Sequence, residues 1–118
     1  MRLVAAMVFT LGLAACGGGA DLGACPNDPV RQNAGAALIS SRCAICHNSN
    51  FSGAQRQAAP ADVNYDTKDA ILAAASSGFS SIQSGSMPRG SARLSTEETE
   101  SVRIFLACGA VRGSTTTQ

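Results

Sequence analysis

Residues 35–47 read Gly-Ala-Ala-Leu-Ile-Ser-Ser-Arg-Cys-Ala-Ile-Cys-His, and this stretch decides the fold. It closes on Cys43-Ala44-Ile45-Cys46-His47, which holds the only histidine of the 118-residue chain. Two cysteines three positions apart stand about one helical turn from each other, so both thiols can address one edge of the same planar group. The imidazole that follows directly can then lie beneath the centre of that group.

C-x-x-C-H is the spacing at which a porphyrin is attached through two thioethers, with the histidine as a ligand to its iron. The expected cofactor is therefore a single covalent haem c, tethered by Cys43 and Cys46 and ligated by His47. A second histidine is absent, so bis-histidine coordination within one chain is excluded. Met1 and Met7 fall in an apolar leader, which leaves Met87 as the thioether for the sixth position. It sits between two expected helices and is followed by Pro88, which stiffens its loop. A histidine–methionine pair favours Fe(II) more than two histidines do and raises the reduction potential.

Outward from this centre the chain is organised simply. One positive charge at Arg2 precedes an apolar run from Leu3 to Ala15, with the proportions of a secretion signal and too short to span a bilayer comfortably. Leu13-Ala14-Ala15-Cys16 resembles the lipobox of bacterial lipoproteins, which implies cleavage before Cys16 and a lipid anchor on its thiol. Gly17 lacks the aspartate that retains some lipoproteins at the inner membrane, so the expected location is the periplasmic side of a bacterial membrane, with the outer membrane weakly favoured. Residues 16–29 read as a flexible tether, 30–110 as one domain and 111–118 as a frayed tail.

Within the domain the first helix is expected from Pro29 or Val30 to Cys43, capped by Asn27 or Asp28, with Ala34, Leu38 and Ile39 on one face near Gly35. Residues 48–64 read as polar loop. A second helix is expected from Asp66 or Thr67, with Asp69 helping its cap, through Ile71, Leu72 and Ala75 to a stop near Gly78. The stretch 76–90 reads as a Ser/Gly-rich loop carrying Met87. A last helix is expected to start at Ser95 or Thr96, with Glu97, Glu98 and Glu100 where its dipole favours anions, a stripe of Val102, Phe105 and Leu106, and a stop at Gly109. No strand pattern competes, so the expected class is all-α, three to four helices wrapped around the haem.

The chain carries net charge +1, from 9 basic and 8 acidic residues, and losing Arg2 with the leader leaves it neutral. That balance gives no case for nucleic acid. Beyond the leader only Phe51, Tyr65, Phe79 and Phe105 are aromatic, thin for a domain of this size, and a buried porphyrin would supply apolar volume. Of the five cysteines, Cys25 and Cys108 remain once lipid and haem are assigned. In an oxidising compartment an even remainder favours a disulfide, with two separate buried thiols as the alternative.

The pattern Gly35-x-x-Leu38-Ile39-x-x-x-Cys43-x-x-Cys46-His47 is similar to the first helix and haem motif of the small class I cytochromes c. Gly85-Ser86-Met87-Pro88, followed by Leu94-Ser95 and the glutamate-rich helix start, resembles their methionine loop and last helix. The resemblance covers about residues 30–110. It implies a cytochrome c fold in which the first and last helices cross at Gly35, with Ile39 and Phe105 beside the crossing. The departures are Ile39 where many members have an aromatic, Ile104-Phe105 where tryptophan is common, and Asn48 in place of a glycine. The proline whose carbonyl orients the haem imidazole in that family has no clear counterpart before Pro60.

The expected function is one-electron transfer between protein partners that meet the rim around Ala44, Ile45 and Met87-Pro88. No enzymatic activity is expected, since there is no Ser/His/Asp set, paired-carboxylate pocket or phosphate loop. The alternative is a haem sensor or a binding module for CO, NO or O2, in which Met87 leaves the iron. A thiol–disulfide oxidoreductase would place its C-x-x-C in a βαβ context, and zinc on Cys43, Cys46 and His47 would crowd adjacent residues onto one tetrahedron.

Overall fold

The computed structural model describes residues 21–113, so the leader, Cys16 and the end of the tail lie outside the described residues. Three α-helices carry the fold: α1 (Pro29–Leu38), α2 (Lys68–Ser84) and α3 (Thr96–Ala107), with no strand among the described residues. None of the described helices is long and apolar enough to cross a membrane.

Helix α1 begins where Asp28 Oδ1 accepts the Arg31 amide at 3.0 Å and Pro29 takes the first position, where its missing N–H is not needed. It buries Gly35 and Ala36, whereas Ala34, expected on the inner face, is exposed. The inner stripe is centred on Gly35 and Ile39, four residues apart, and Ala34 falls a full 100° off it. The helix does not run unchanged to Cys43. From Ile39 to Cys43 it widens into one π-turn, closed by the Ala44 amide on the Ile39 carbonyl at 3.0 Å.

Helix α3 crosses α1 at Gly35. A Cβ there would collide with the Ser101 carbonyl oxygen and stand 2.6 Å from Phe105 Cβ, so only glycine allows this approach. Ile39, Val102 and Phe105 close the core around the crossing. The start of α3 is fixed locally by a reciprocal box: Ser95 Oγ accepts the Glu98 amide at 3.1 Å and Glu98 Oε2 accepts the Ser95 amide at 2.8 Å.

Helix α2 starts as expected, with Thr67 Oγ1 accepting the Ala70 amide at 3.3 Å, and buries Ile71, Ala74, Ala75 and Phe79. Its far end differs. Gly78 is not a stop, and the helix continues to Ser84 and ends at Gly85 in the left-handed conformation, φ 77°. The serines of the last turns do not break it, because Ser77, Ser81 and Ser84 each return their hydroxyl to a carbonyl three or four residues earlier. Gly78 instead leaves room for Tyr65, whose hydroxyl occupies the space a Cβ would take. Leu72, in the same helix, is 41% exposed.

Residues on either side of the helices are tied to them among the described residues. Cys25 and Cys108 form a disulfide across 83 positions. Arg103 Nη1 donates to the carbonyls of Leu22 (2.6 Å) and Ala24 (3.0 Å) while Glu100 grips its other face. At the other end Asn33 Nδ2 donates to Gly113 O at 3.2 Å. Residues 22–25 and 113, outside the span 30–110, thus pack against the helices.

Candidate functional site

The π-turn delivers Cys43 at the end of the first helical segment. A tight turn then stacks the next donors, because the amides of Cys46 and His47 both point at the Cys43 carbonyl, at 3.2 and 2.9 Å. Cys43, Cys46 and His47 thus line one cavity of about 660 Å³, and Met87 and Pro88 line the same cavity. That volume falls within the range of small-molecule and cofactor pockets. Ile39, Ile45, Val63, Ile82, Leu94 and Leu106 give it apolar walls, and its only charged lining residues are Arg42, Arg56 and Arg89. Cys43 and Cys46 are both free thiols. Burial pushes the Cys43 thiol up to about 11, and Arg42 offsets this only in part. A thiol so placed stays protonated near neutrality, the reverse of a low-pKa exchange cysteine.

His47 is 8% exposed and fixed from two directions. Its Nδ1 lies 2.9 Å from the Val63 carbonyl, an acceptor only, so Nδ1 carries a proton, and in the neutral imidazole the lone pair is on Nε2. The partner of the imidazole is a backbone carbonyl, so orienting the ring does not depend on a proline at that position. Tyr65 meets the imidazole edge-to-face at 5.3 Å, and its amide donates to the His47 carbonyl at 2.8 Å. Burial pushes the Tyr65 phenol up to about 12, so it stays protonated near neutrality.

Met87 is half-buried on a loop tied down at three points. Its amide donates to Ser81 O at 3.2 Å, Arg93 Nη2 donates to Ser84 O at 3.1 Å, and Arg42 Nη2 donates to the Ala92 carbonyl. Arg93 thus satisfies a terminal carbonyl of α2, and Arg42 joins the methionine loop to the π-turn before Cys43.

Arg56 was not anticipated. It lies in the segment read as polar loop, where Gly53–Arg56 makes a short 3₁₀ turn, and it is 6% exposed. Its donors reach five oxygens: Ala59 O (3.1 Å), Asn48 O (2.6 Å), Asn64 Oδ1 (3.0 Å), Val63 O (3.2 Å) and Pro60 O. Gln57 and Ala58, both left-handed at φ 48° and 68°, turn the chain so that the next carbonyls face back toward the guanidinium. One signal was legible: Arg56 is the only charged residue between His47 and Asp62.

Of the other expected residues, Ile45 at the rim is 55% exposed, while Cys16 lies outside the described residues. No three His, Cys, Asp or Glu residues are grouped to hold a metal ion among the described residues. Compared with known proteins, the chain matches no family model, no curated protein and no solved structure.

Proposed function

We propose that the protein is a monohaem c-type electron carrier with a cytochrome c fold, exported and tethered to the periplasmic side of a bacterial membrane through lipid on Cys16. One observation carries the reading. The two free thiols and the sole histidine line the same apolar cavity as the one methionine beyond the leader, and the histidine's Nδ1 is already committed to Val63.

The residues fit the group. Cys43 and Cys46 would hold it by thioether bonds, and His47 Nε2 and the Met87 thioether would be the ligands to its iron. The arginines on the lining match a ligand that bears carboxylates, and the apolar walls match a flat hydrocarbon macrocycle. Bound there, a haem supplies reversible one-electron chemistry at its iron. The chain's part is to keep the donors still: Val63 and Tyr65 fix the imidazole, and Arg42 and Arg93 fix the methionine loop. A ligand set held in one geometry limits the reorganisation that accompanies electron transfer. The exposed Ile45 and the neighbouring Pro88 offer a small rim for brief contact with redox partners.

Expression with haem-attachment machinery tests the proposal. The expected product is coloured and keeps its pigment in acidified acetone, and its oxidised spectrum shows the weak sulfur-to-iron charge-transfer band. Met87→Ala and Met87→His lose that band, and CO leaves the reduced parent's spectrum unchanged. A colourless or extractable product refutes haem attachment; a parent without the band, or one that binds CO at once, refutes the methionine-ligated carrier.

A further inference from the structure

The Val63 carbonyl oxygen receives two donors at once, His47 Nδ1–H at 2.9 Å and Arg56 Nη2–H at 3.2 Å. Arg56 is a buried cation whose five hydrogen bonds all end on neutral oxygens. It makes no ion pair with a carboxylate among the described residues, although its charge helps to hold the Asp66 carboxyl low. Burying a charge is costly unless its donors are fully used, and here they close the whole 48–64 segment around one guanidinium. An apolar side chain in its place would leave these five oxygens without their donor, so the packing of the segment depends on this one cation.

We infer that Arg56 is a positioning residue that sets how strongly His47 is hydrogen-bonded and thereby raises the reduction potential of the centre. The inference rests on the reading of His47 as an iron ligand. A carbonyl that already accepts from a guanidinium has less electron density to offer a second donor. The Nδ1–H bond of His47 is therefore weaker than the same bond to an unshared carbonyl, and the imidazole stays a more neutral, less electron-rich ligand. A less basic ligand favours Fe(II) over Fe(III), and a buried positive charge nearby acts in the same direction. The two effects add. The guanidinium also holds Val63, Pro60 and Ala59 in register, so the acceptor cannot drift away from the imidazole.

The test uses the haem-loaded protein, its Arg56→Gln and Arg56→Lys variants, and two readouts. In redox titration the potential falls in Arg56→Gln and falls less in Arg56→Lys, which keeps the charge and loses the planar fork. In the NMR spectrum of the reduced protein, the His47 Nδ1 proton moves downfield in Arg56→Gln, because the freed carbonyl becomes the better acceptor. A purely structural role predicts lower melting temperatures with neither change. An Arg56→Gln potential equal to or above that of the parent overturns the inference, as does an unmoved Nδ1 proton. If neither variant takes up haem, the parent alone decides. A cross-peak between the His47 Nδ1 proton and the Arg56 guanidinium is expected, and its absence overturns the shared carbonyl. A colourless parent is a different failure, since it removes the haem reading itself.

Discussion

Replacing Gly35 by alanine sets two effects of opposite sign against each other. In an exposed helix the change is stabilising by about 1 kcal/mol, because alanine has less backbone entropy to lose. At the crossing of α1 and α3 the new methyl group would collide with the Ser101 carbonyl oxygen and lie 2.6 Å from Phe105 Cβ and 2.8 Å from the Ser101 carbonyl carbon. Two of these neighbours are backbone, and Phe105 is 4% exposed, so none can swing aside. The helices must separate, which loosens Ile39 and Val102, the two most deeply buried large side chains. Overpacking typically costs about 1–3 kcal/mol, and a clash with rigid backbone belongs at or above the top of that range. The net expectation is a loss of about 2 kcal/mol, or about 10 °C in melting temperature for a domain of this size. Denaturant melts followed by far-ultraviolet circular dichroism measure it, with exposed Ala37→Gly in the same helix as the control for propensity. If Gly35→Ala melts at or above the parent temperature, the close crossing described above is wrong.

Gly78→Ala should destabilise by about 1–3 kcal/mol through its clash with the Tyr65 hydroxyl, and Tyr65→Phe in the same chain should restore most of the loss, as a double-mutant cycle reads directly. Cys25→Ser with Cys108→Ser opens a loop spanning 83 positions and should cost up to about 4.5 kcal/mol in chain entropy, measured as a shift of the denaturation midpoint. The Asp66 carboxyl is held below its usual range first by the Ser49 hydroxyl and amide, so its contribution is present above the unfolded carboxylate pKa of about 4 and is lost as pH falls through the lower folded value. Asp66→Asn should therefore flatten the acid limb of the stability curve; an unchanged limb would show that this bond plays no part.

Local chemistry was readable and distant chemistry was not. The start of α3 follows from Ser95 and Glu98 three residues apart, and the start of α1 from Asp28 and Pro29, because caps depend on neighbours in the chain. The end of α2 was misread because Gly78 looks like a helix stop, whereas its partner is Tyr65, thirteen positions upstream and brought close only by folding. The expected donors Cys43, Cys46, His47 and Met87 were legible as residue types, and all four line one cavity. The carbonyl that orients His47 was sought as a proline. It is any residue's backbone oxygen, so Val63 carries no signal in its side chain. Arg56 went unnoticed for a related reason: a cation satisfied by carbonyls leaves no acidic companion in the sequence to mark it.

The sulfur bridge at Cys25 and the grip of Arg103 on Leu22 and Ala24 decide where mechanical load enters the molecule. A pull on the chain upstream of Leu22 is borne first by α3, through one covalent link and two hydrogen bonds, and not by the opening turn of α1. When the opposing pull acts on residues beyond Cys108, the bridge bypasses residues 26–107, and the segment that carries Cys43, Cys46 and His47 is spared the tension until the bridge itself gives way.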